Sequence, residues 1–208
     1  MQIHEMISSS RVNGPGRRAV VWFQGCTLAC PGCWNPGTHA FDLMLQRSVE
    51  DVGSWILSCP DIEGVTFSGG EPFQQASELF ELCGYVKARQ PGLSLALFSG
   101  YTSRELIAGR WQYRTPRDNR WHQGTNALFN LIASYLDFGV FGRFSRAQLT
   151  GDKPLCGSRN QDVIFFSDRY SDNDLEPQGC EIDISADGND MTVTGFPPPE
   201  LIQSLSTT

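Results

Sequence analysis

Short apolar runs alternate with stretches of helical spacing along most of the chain. Residues 19–23 (Ala-Val-Val-Trp-Phe) are apolar throughout and predict a buried strand. Residues 49–57 predict a helix, with Ser48 as its N-cap and Asp51 at the third helical position. A second short strand is expected over 64–67, ending at Ser68-Gly69-Gly70. From 73 to 89, Leu79, Phe80, Leu82, Cys83 and Val86 recur at helical intervals, and Pro91-Gly92 stops the helix. A third strand over 93–98 runs into Ser99-Gly100-Tyr101-Thr102. Then come a helix from Arg104, a loop over 110–124, a helix over 126–135 and strands over 138–144 and 163–166. Residues 181–185 and 191–194 flank Asp187-Gly188 and predict a β-hairpin.

Strands alternating with helices predict an α/β fold built on a parallel sheet with helical crossovers. Residues 1–170 read as the core domain. Residues 171–208 read as a C-terminal extension of the same domain, a hairpin followed by Pro197-Pro198-Pro199 and a frayed tail. In such folds ligands gather beyond the C-terminal ends of the strands. Four segments should therefore meet on one rim: the cysteine loop after residue 23, the Gly69-Gly70 turn, the Ser99-Gly100 turn and residues 157–161.

A length of 208 residues suits one domain with a sizeable core. The net charge of −7 argues against nucleic acid as the main partner, because phosphate binding rests on Lys and Arg. No stretch is apolar for long enough to cross a bilayer, so no membrane partner is expected. Met1-Gln2-Ile3-His4-Glu5 lacks a basic start leading into an apolar run, so the expectation is a cytoplasmic protein. In a reducing compartment, clustered cysteines point to metal binding or catalysis before disulfides.

The chain has seven cysteines, and three of them form Cys26-Thr-Leu-Ala-Cys30-Pro-Gly-Cys33. Thiolates are soft ligands that suit iron–sulfur clusters and zinc. Three thiolates in a tight loop can hold three irons of a cubane and leave the fourth open to a ligand. Zinc would want a fourth protein ligand, for which His39 is the nearest candidate and stands alone. Unligated buried thiols are the third reading. Cys59, Cys83, Cys156 and Cys180 are scattered, with no spacing for a second cluster, and Cys83 sits on an apolar helix face.

The cysteine triplet directly after a strand resembles the radical S-adenosylmethionine superfamily, and within it the glycyl-radical activases that serve anaerobic ribonucleotide reductase. Four stretches carry the resemblance: Asn13-Gly14-Pro15-Gly16; residues 25–35, with Trp34 and Asn35 after the last cysteine; Ser68-Gly69-Gly70-Glu71-Pro72; and Gly157-Ser158-Arg159-Asn160-Gln161. Gly32 precedes the third cysteine, as in the activases. Phe141 precedes Gly142 where an acidic residue is usual.

The resemblance implies a partial (β/α) barrel of mainly parallel strands, with one 4Fe-4S cluster on Cys26, Cys30 and Cys33 and S-adenosyl-L-methionine as second cofactor. It implies reductive cleavage of S-adenosylmethionine to a 5′-deoxyadenosyl radical, fed by a low-potential donor of flavodoxin or ferredoxin type. Ser68, Gly69, Gly70 and Glu71 would then meet the ammonium end of the cofactor; alone they read as an ordinary strand-to-helix turn, with Pro72 opening the next helix. A branched side chain at Gly70 should obstruct that end and leave the cluster intact. Ser99, Gly100 and Tyr101 would line the ribose or methionine side, or simply form a tight turn. Asn160 and Gln161 could hydrogen-bond the adenine, or lie in a surface loop. Trp34 would shield the cluster, or serve as core.

Two substrates fit this chemistry: a glycine of a large glycyl-radical enzyme, and a ribosomally made peptide undergoing maturation. A non-catalytic metal-binding module is the reading from another class. Residues 110–124 carry four arginines and two tryptophans in an acidic chain. They read as a docking site for a partner protein or peptide, or as a solvated loop.

Overall fold

A computed structural model describes residues 1–41, 46–115, 118–175, 182–187 and 190–195. Among these, six strands form one sheet in the order β1-β2-β3-β4-β7-β8: β1 (Ile3–Ser10), β2 (Arg18–Phe23), β3 (Gly64–Gly69), β4 (Ser94–Ser99), β7 (Phe138–Phe141) and β8 (Asp162–Phe165). β2, β3, β4 and β7 are parallel; β1 and β8 run antiparallel at the two edges. The fold is therefore mixed α/β with a mainly parallel central sheet. Its crossovers carry α1 (Val49–Ser58), α2 (Ala76–Arg89), α3 (Ser103–Ile107) and α4 (Asn126–Ala133).

The local rules hold where the sequence is most regular. The Ser48 hydroxyl accepts the Asp51 N–H at 2.9 Å and starts α1. α2 ends in Lys87 and Arg89, which complement the negative C-terminal end of its dipole. Cys83 lies on its buried face, as expected.

Alternation along the strands splits the sheet into two unlike faces. Ala19, Val21, Phe23, Val65, Phe67, Leu95 and Leu97 join one buried core with Val52, Leu79, Leu82 and Ile132 from the helices. The opposite face carries Arg18, Thr66 and Ser94 low in the sheet and Trp22, Ser68 and Phe98 near the rim. Arg18 is fully buried there. Its Nε donates to Thr66 Oγ1 at 2.7 Å, its Nη2 to the Val65 carbonyl at 2.8 Å, and its guanidinium lies 5.3 Å from the centre of the Phe138 ring. Neutral acceptors and a ring face thus satisfy a cation that burial would otherwise make costly.

Several expectations are corrected. The strand β1 was not foreseen. Residues 72–75 form a 3-10 turn before α2. The strand expected over 138–144 ends at Phe141. The segment 110–124 is not a plain loop: β5 (Gln112–Arg114) and β6 (Trp121–Gln123) pair as an antiparallel ribbon, with Trp111 buried beneath it. Near the C-terminus β9 (Ile182–Asp187) and β10 (Asp190–Gly195) pair antiparallel. Gly188, Cys180, Arg117 and the tail from residue 196, including Pro197-Pro198-Pro199, lie outside the described residues.

Candidate functional site

Because β2, β3 and β4 are parallel, the segments that follow them emerge on one rim, and β8, running the other way, brings the residues before it to the same rim. They enclose a cavity of about 640 Å³. Cys26, Cys30, Cys33, Trp34 and Asn35 line it from the loop after β2. Ser68 and Gly69 line it from the end of β3 and Gly70 and Glu71 from just after it, Ser99 from the end of β4 and Gly100 from just after it, and Gln161 from just before β8. Tyr101 and Asn160 do not reach it. Tyr101 is buried, its hydroxyl accepting from Gln74 Nε2 at 3.2 Å, and the Asn160 amide turns to the Arg143 carbonyl at 2.7 Å.

The cysteine loop is held mainly through its backbone. Gly25 and Cys26 donate their N–H groups to the carbonyls of Thr38 and His39, at 2.7 and 2.9 Å. Three glutamines brace the rest. Gln24 Nε2 donates to the carbonyls of Gly37 and Ala40. Gln74 accepts the Thr27 N–H at 3.0 Å and donates to the Thr27 hydroxyl at 2.6 Å. Gln75 donates to the Gln24 carbonyl at 2.8 Å. All three are buried, so each side chain trades water for a fixed partner, and the loop is held before any ligand arrives.

The Gly69-Gly70 turn packs against this loop. Gly69 has φ +94, a left-handed conformation that favours glycine. A Cβ on Gly70 would stand 2.4 Å from the Gly25 carbonyl oxygen and 3.1 Å from that of Thr38. The backbone beside Cys26 thus leaves no room for a side chain at Gly70, so a larger residue there should disturb the cysteine loop as well as the turn.

Glu71 is fully buried. One carboxylate oxygen accepts the Phe73 N–H at 2.9 Å, the other the Gly100 N–H at 2.8 Å, and both are within 3.0 Å of the Ser99 hydroxyl. Burial pushes its carboxyl up to about 7, against the pull of these donors. The turns after β3 and β4 are thereby tied together at the cavity wall.

Gln161 works similarly. Its Oε1 accepts the N–H groups of Gly157 and Ser158, at 2.9 and 3.0 Å, and its Nε2 donates to the Gly142 carbonyl at 3.1 Å. Trp34 packs edge-on against Phe144, with ring centres 5.5 Å apart, on the same wall.

The donor set fits an iron–sulfur cluster better than a single ion. His39 lines the cavity too, its Nε2 buried with no hydrogen-bond partner among the described residues. Even so, no three His, Cys, Asp or Glu side chains among those residues gather closely enough to hold one ion. A cubane takes one thiolate per iron and needs no such gathering. Burial pushes the Cys26 thiol up to about 11, with the Glu71 carboxylate adding to it, and raises Cys30, with Cys33 adding to it. Loading a metal here must displace protons.

Residues 12–164 match the family described as a 4Fe-4S single cluster domain. The chain is 31% identical over 132 residues to the anaerobic ribonucleoside-triphosphate reductase-activating protein of Enterobacteria phage T4, covering 55% of this chain and 84% of that one. It is 27% identical over 173 residues to the protein of that name from Vibrio cholerae, covering 80% and 99%. To the pyruvate formate-lyase-activating enzyme of Listeria monocytogenes it is 37% identical over 92 residues, covering 42% and 37%. The chain belongs to the glycyl-radical activases of the radical S-adenosylmethionine type. The activase is an enzyme whose cofactors are a 4Fe-4S cluster and S-adenosylmethionine. Among its described residues no helix is long and apolar enough to cross a membrane.

The family match ends at residue 164, but the cavity wall of this activase does not. Thr194 and Gly195 at the end of β10 also line it, and the Thr194 hydroxyl and Asn13 amide are hydrogen-bonded at 2.9 and 3.1 Å. Sequence reasoning missed this contact, and nothing local in either segment signals it. It also missed Gln24, Gln74 and Gln75. The paired glutamines directly after Pro72-Phe73, polar residues at the start of an apolar helix, were the available signal.

Proposed function

We propose that the activase holds its cluster on Cys26, Cys30 and Cys33 and binds S-adenosylmethionine across the cavity, against Ser68–Glu71 and Ser99-Gly100. The observation that carries this is the convergence of these segments on one cavity of about 640 Å³, although they lie up to 74 positions apart in the chain. Held on these thiolates and reduced, the cluster would supply the electron for reductive cleavage of S-adenosylmethionine to methionine and a radical able to take a hydrogen atom from the substrate.

The protein's part is binding, orientation and exclusion of water. Cys26, Cys30 and Cys33 would hold the cluster through three thiolates, which would leave it accessible to the amino-acid end of S-adenosylmethionine. The turn at Gly69 and Gly70 offers backbone groups to the ammonium. Glu71 fixes that turn through the Ser99 and Gly100 contacts. Trp34 and Phe144 cover one side of the cavity. The sheet, with helices on one face and the cavity on the other, supports reading the fold as a partial barrel whose interior is this site.

The substrate is the α-carbon of a glycine in a large partner of the anaerobic ribonucleotide reductase kind, and a low-potential donor of flavodoxin or ferredoxin type supplies the electron. The relatives named as activators of that reductase support this choice over a peptide maturase. The test is to mix anaerobically reconstituted, reduced activase with the reductase and S-adenosylmethionine and to record the electron paramagnetic resonance spectrum. A glycyl radical on the reductase is expected. Its absence while S-adenosylmethionine is still consumed would send the substrate assignment elsewhere.

A further inference from the structure

The β5–β6 ribbon takes no part in the cavity wall, yet it lies against the cysteine loop from behind. Phe41 makes the connection. A Cβ on Gly25, one residue before Cys26, would stand 2.4 Å from Phe41 Cε1, so the ring is in contact with that backbone. On its other side Phe41 meets Trp121 edge-on, with ring centres 5.6 Å apart. The Arg114 guanidinium lies 5.1 Å from the centre of the Phe41 ring and 5.8 Å from that of Trp121. One aromatic ring therefore separates the ribbon from the residue next to a cluster ligand. Trp121 is 40% exposed, an unusual degree for so large an apolar side chain.

The charge beside the ribbon opposes that of the protein. The described residues of 110–124 include three arginines, Arg110, Arg114 and Arg120, and one acid, Asp118, within a chain of net charge −7. Asp118 is already engaged by His122 at 3.0 Å. Arg110 and Arg120 are exposed and make no ion pair among the described residues. An acidic protein is repelled by most of this surface and drawn to the ribbon, where arginine and tryptophan are the residue types that carry interface affinity.

Resting on the assignment of the cluster to Cys26, Cys30 and Cys33, we propose that the β5–β6 ribbon is the docking surface for the acidic one-electron carrier that reduces this activase. The substrate glycine must enter the cavity itself, which the ribbon does not line, so donor and substrate protein occupy different surfaces. One electron leaves the carrier, which is oxidised by one equivalent, and enters the cluster. No bond or proton changes at the ribbon.

The test is a binding titration of the anaerobically reconstituted full chain with oxidised flavodoxin, comparing wild type, Arg120→Glu, Arg110→Glu and, as a control for net charge, Arg89→Glu at the far end of α2. Both variants, at arginines flanking the ribbon strands, should weaken flavodoxin binding about tenfold at low salt, the effect of losing a close charge at an interface. Added salt should weaken the wild type in the same direction, and Arg89→Glu should change little. Dithionite-driven formation of 5′-deoxyadenosine should be equal in all four. Unchanged flavodoxin affinity in the ribbon variants would overturn the proposal, as would a loss confined to the affinity for the glycyl-radical partner. Failure of dithionite-driven cleavage in the wild type would instead overturn the cluster assignment beneath it.

Discussion

The Glu71 carboxylate accepts the Ser99 hydroxyl at 2.9 and 3.0 Å and so joins the turn after β3 to the turn after β4, 28 positions on. Both turns line the cavity, so a single buried carboxylate sets their separation. Its price is desolvation, which pushes the carboxyl up to about 7 from an ordinary value of 4.5.

That shift makes stability depend on pH. Between about 4.5 and 7 the unfolded chain has released a proton that the folded chain still keeps, so the free energy of unfolding falls as pH rises through this window and levels off above it. The full shift corresponds to about 3 kcal/mol. Glu71→Gln should remove this slope. It should also cost about 1–3 kcal/mol at low pH, because an amide NH₂ then faces N–H and O–H donors. Denaturant unfolding of the apoprotein at several pH values checks both effects. Identical slopes in variant and wild type would mean that the carboxyl titrates normally.

Gly70→Val should damage the cluster loop as well as the cofactor cradle. The new Cβ would fall 2.4 Å from the Gly25 carbonyl oxygen, which cannot move without shifting Cys26. The expected outcome is iron and sulfide well below the wild-type content after anaerobic reconstitution, together with lost S-adenosylmethionine binding. Full iron with lost binding would restore the simpler expectation from sequence.

Thr194→Val keeps the side-chain shape and removes the hydroxyl that pairs with Asn13. The buried Asn13 NH₂ loses its acceptor, at a cost of about 1–3 kcal/mol, while its Oδ1 keeps the Ser10 hydroxyl. Amide hydrogens of β9 and β10 should exchange faster, while iron content stays at the wild-type level. Equal protection in variant and wild type would show that the hairpin is held by other contacts.

The candidate site was legible where its signal is local. Cys26, Cys30 and Cys33 lie within eight residues, so their spacing marks them, whereas Ser68-Gly69-Gly70-Glu71 after its strand stood out only beside the cysteine motif. Ser48 announced its helix for the same reason, since a cap is a contact between near neighbours. What stayed hidden depends on distant pairing. β1 reads as polar and irregular (Ile-His-Glu-Met-Ile-Ser-Ser-Ser) and exists as a strand through its register with β2. Arg18 looks like a surface cation until Thr66, Val65 and Phe138 close around it. Trp111 fell in a segment that read as a docking site or a solvated loop, but it is 2% exposed and packs on Phe73 with ring centres 5.5 Å apart. Glu71 and Gln161 looked like ligand contacts, and the fold uses their polar atoms first to fix the loops that form the cavity.

The most direct measurement is the 5′-deoxyadenosine formed when anaerobically reconstituted protein is reduced with dithionite in the presence of S-adenosylmethionine, for the wild type and for Cys26→Ala, Cys30→Ala and Cys33→Ala. The wild type should carry about four irons and four sulfides per chain, one cubane on three thiolates, and should release 5′-deoxyadenosine and methionine in equal amounts. Each alanine variant should release none. A wild type with a full iron load that leaves S-adenosylmethionine intact, or a variant that cleaves it as well as the wild type, would contradict the account.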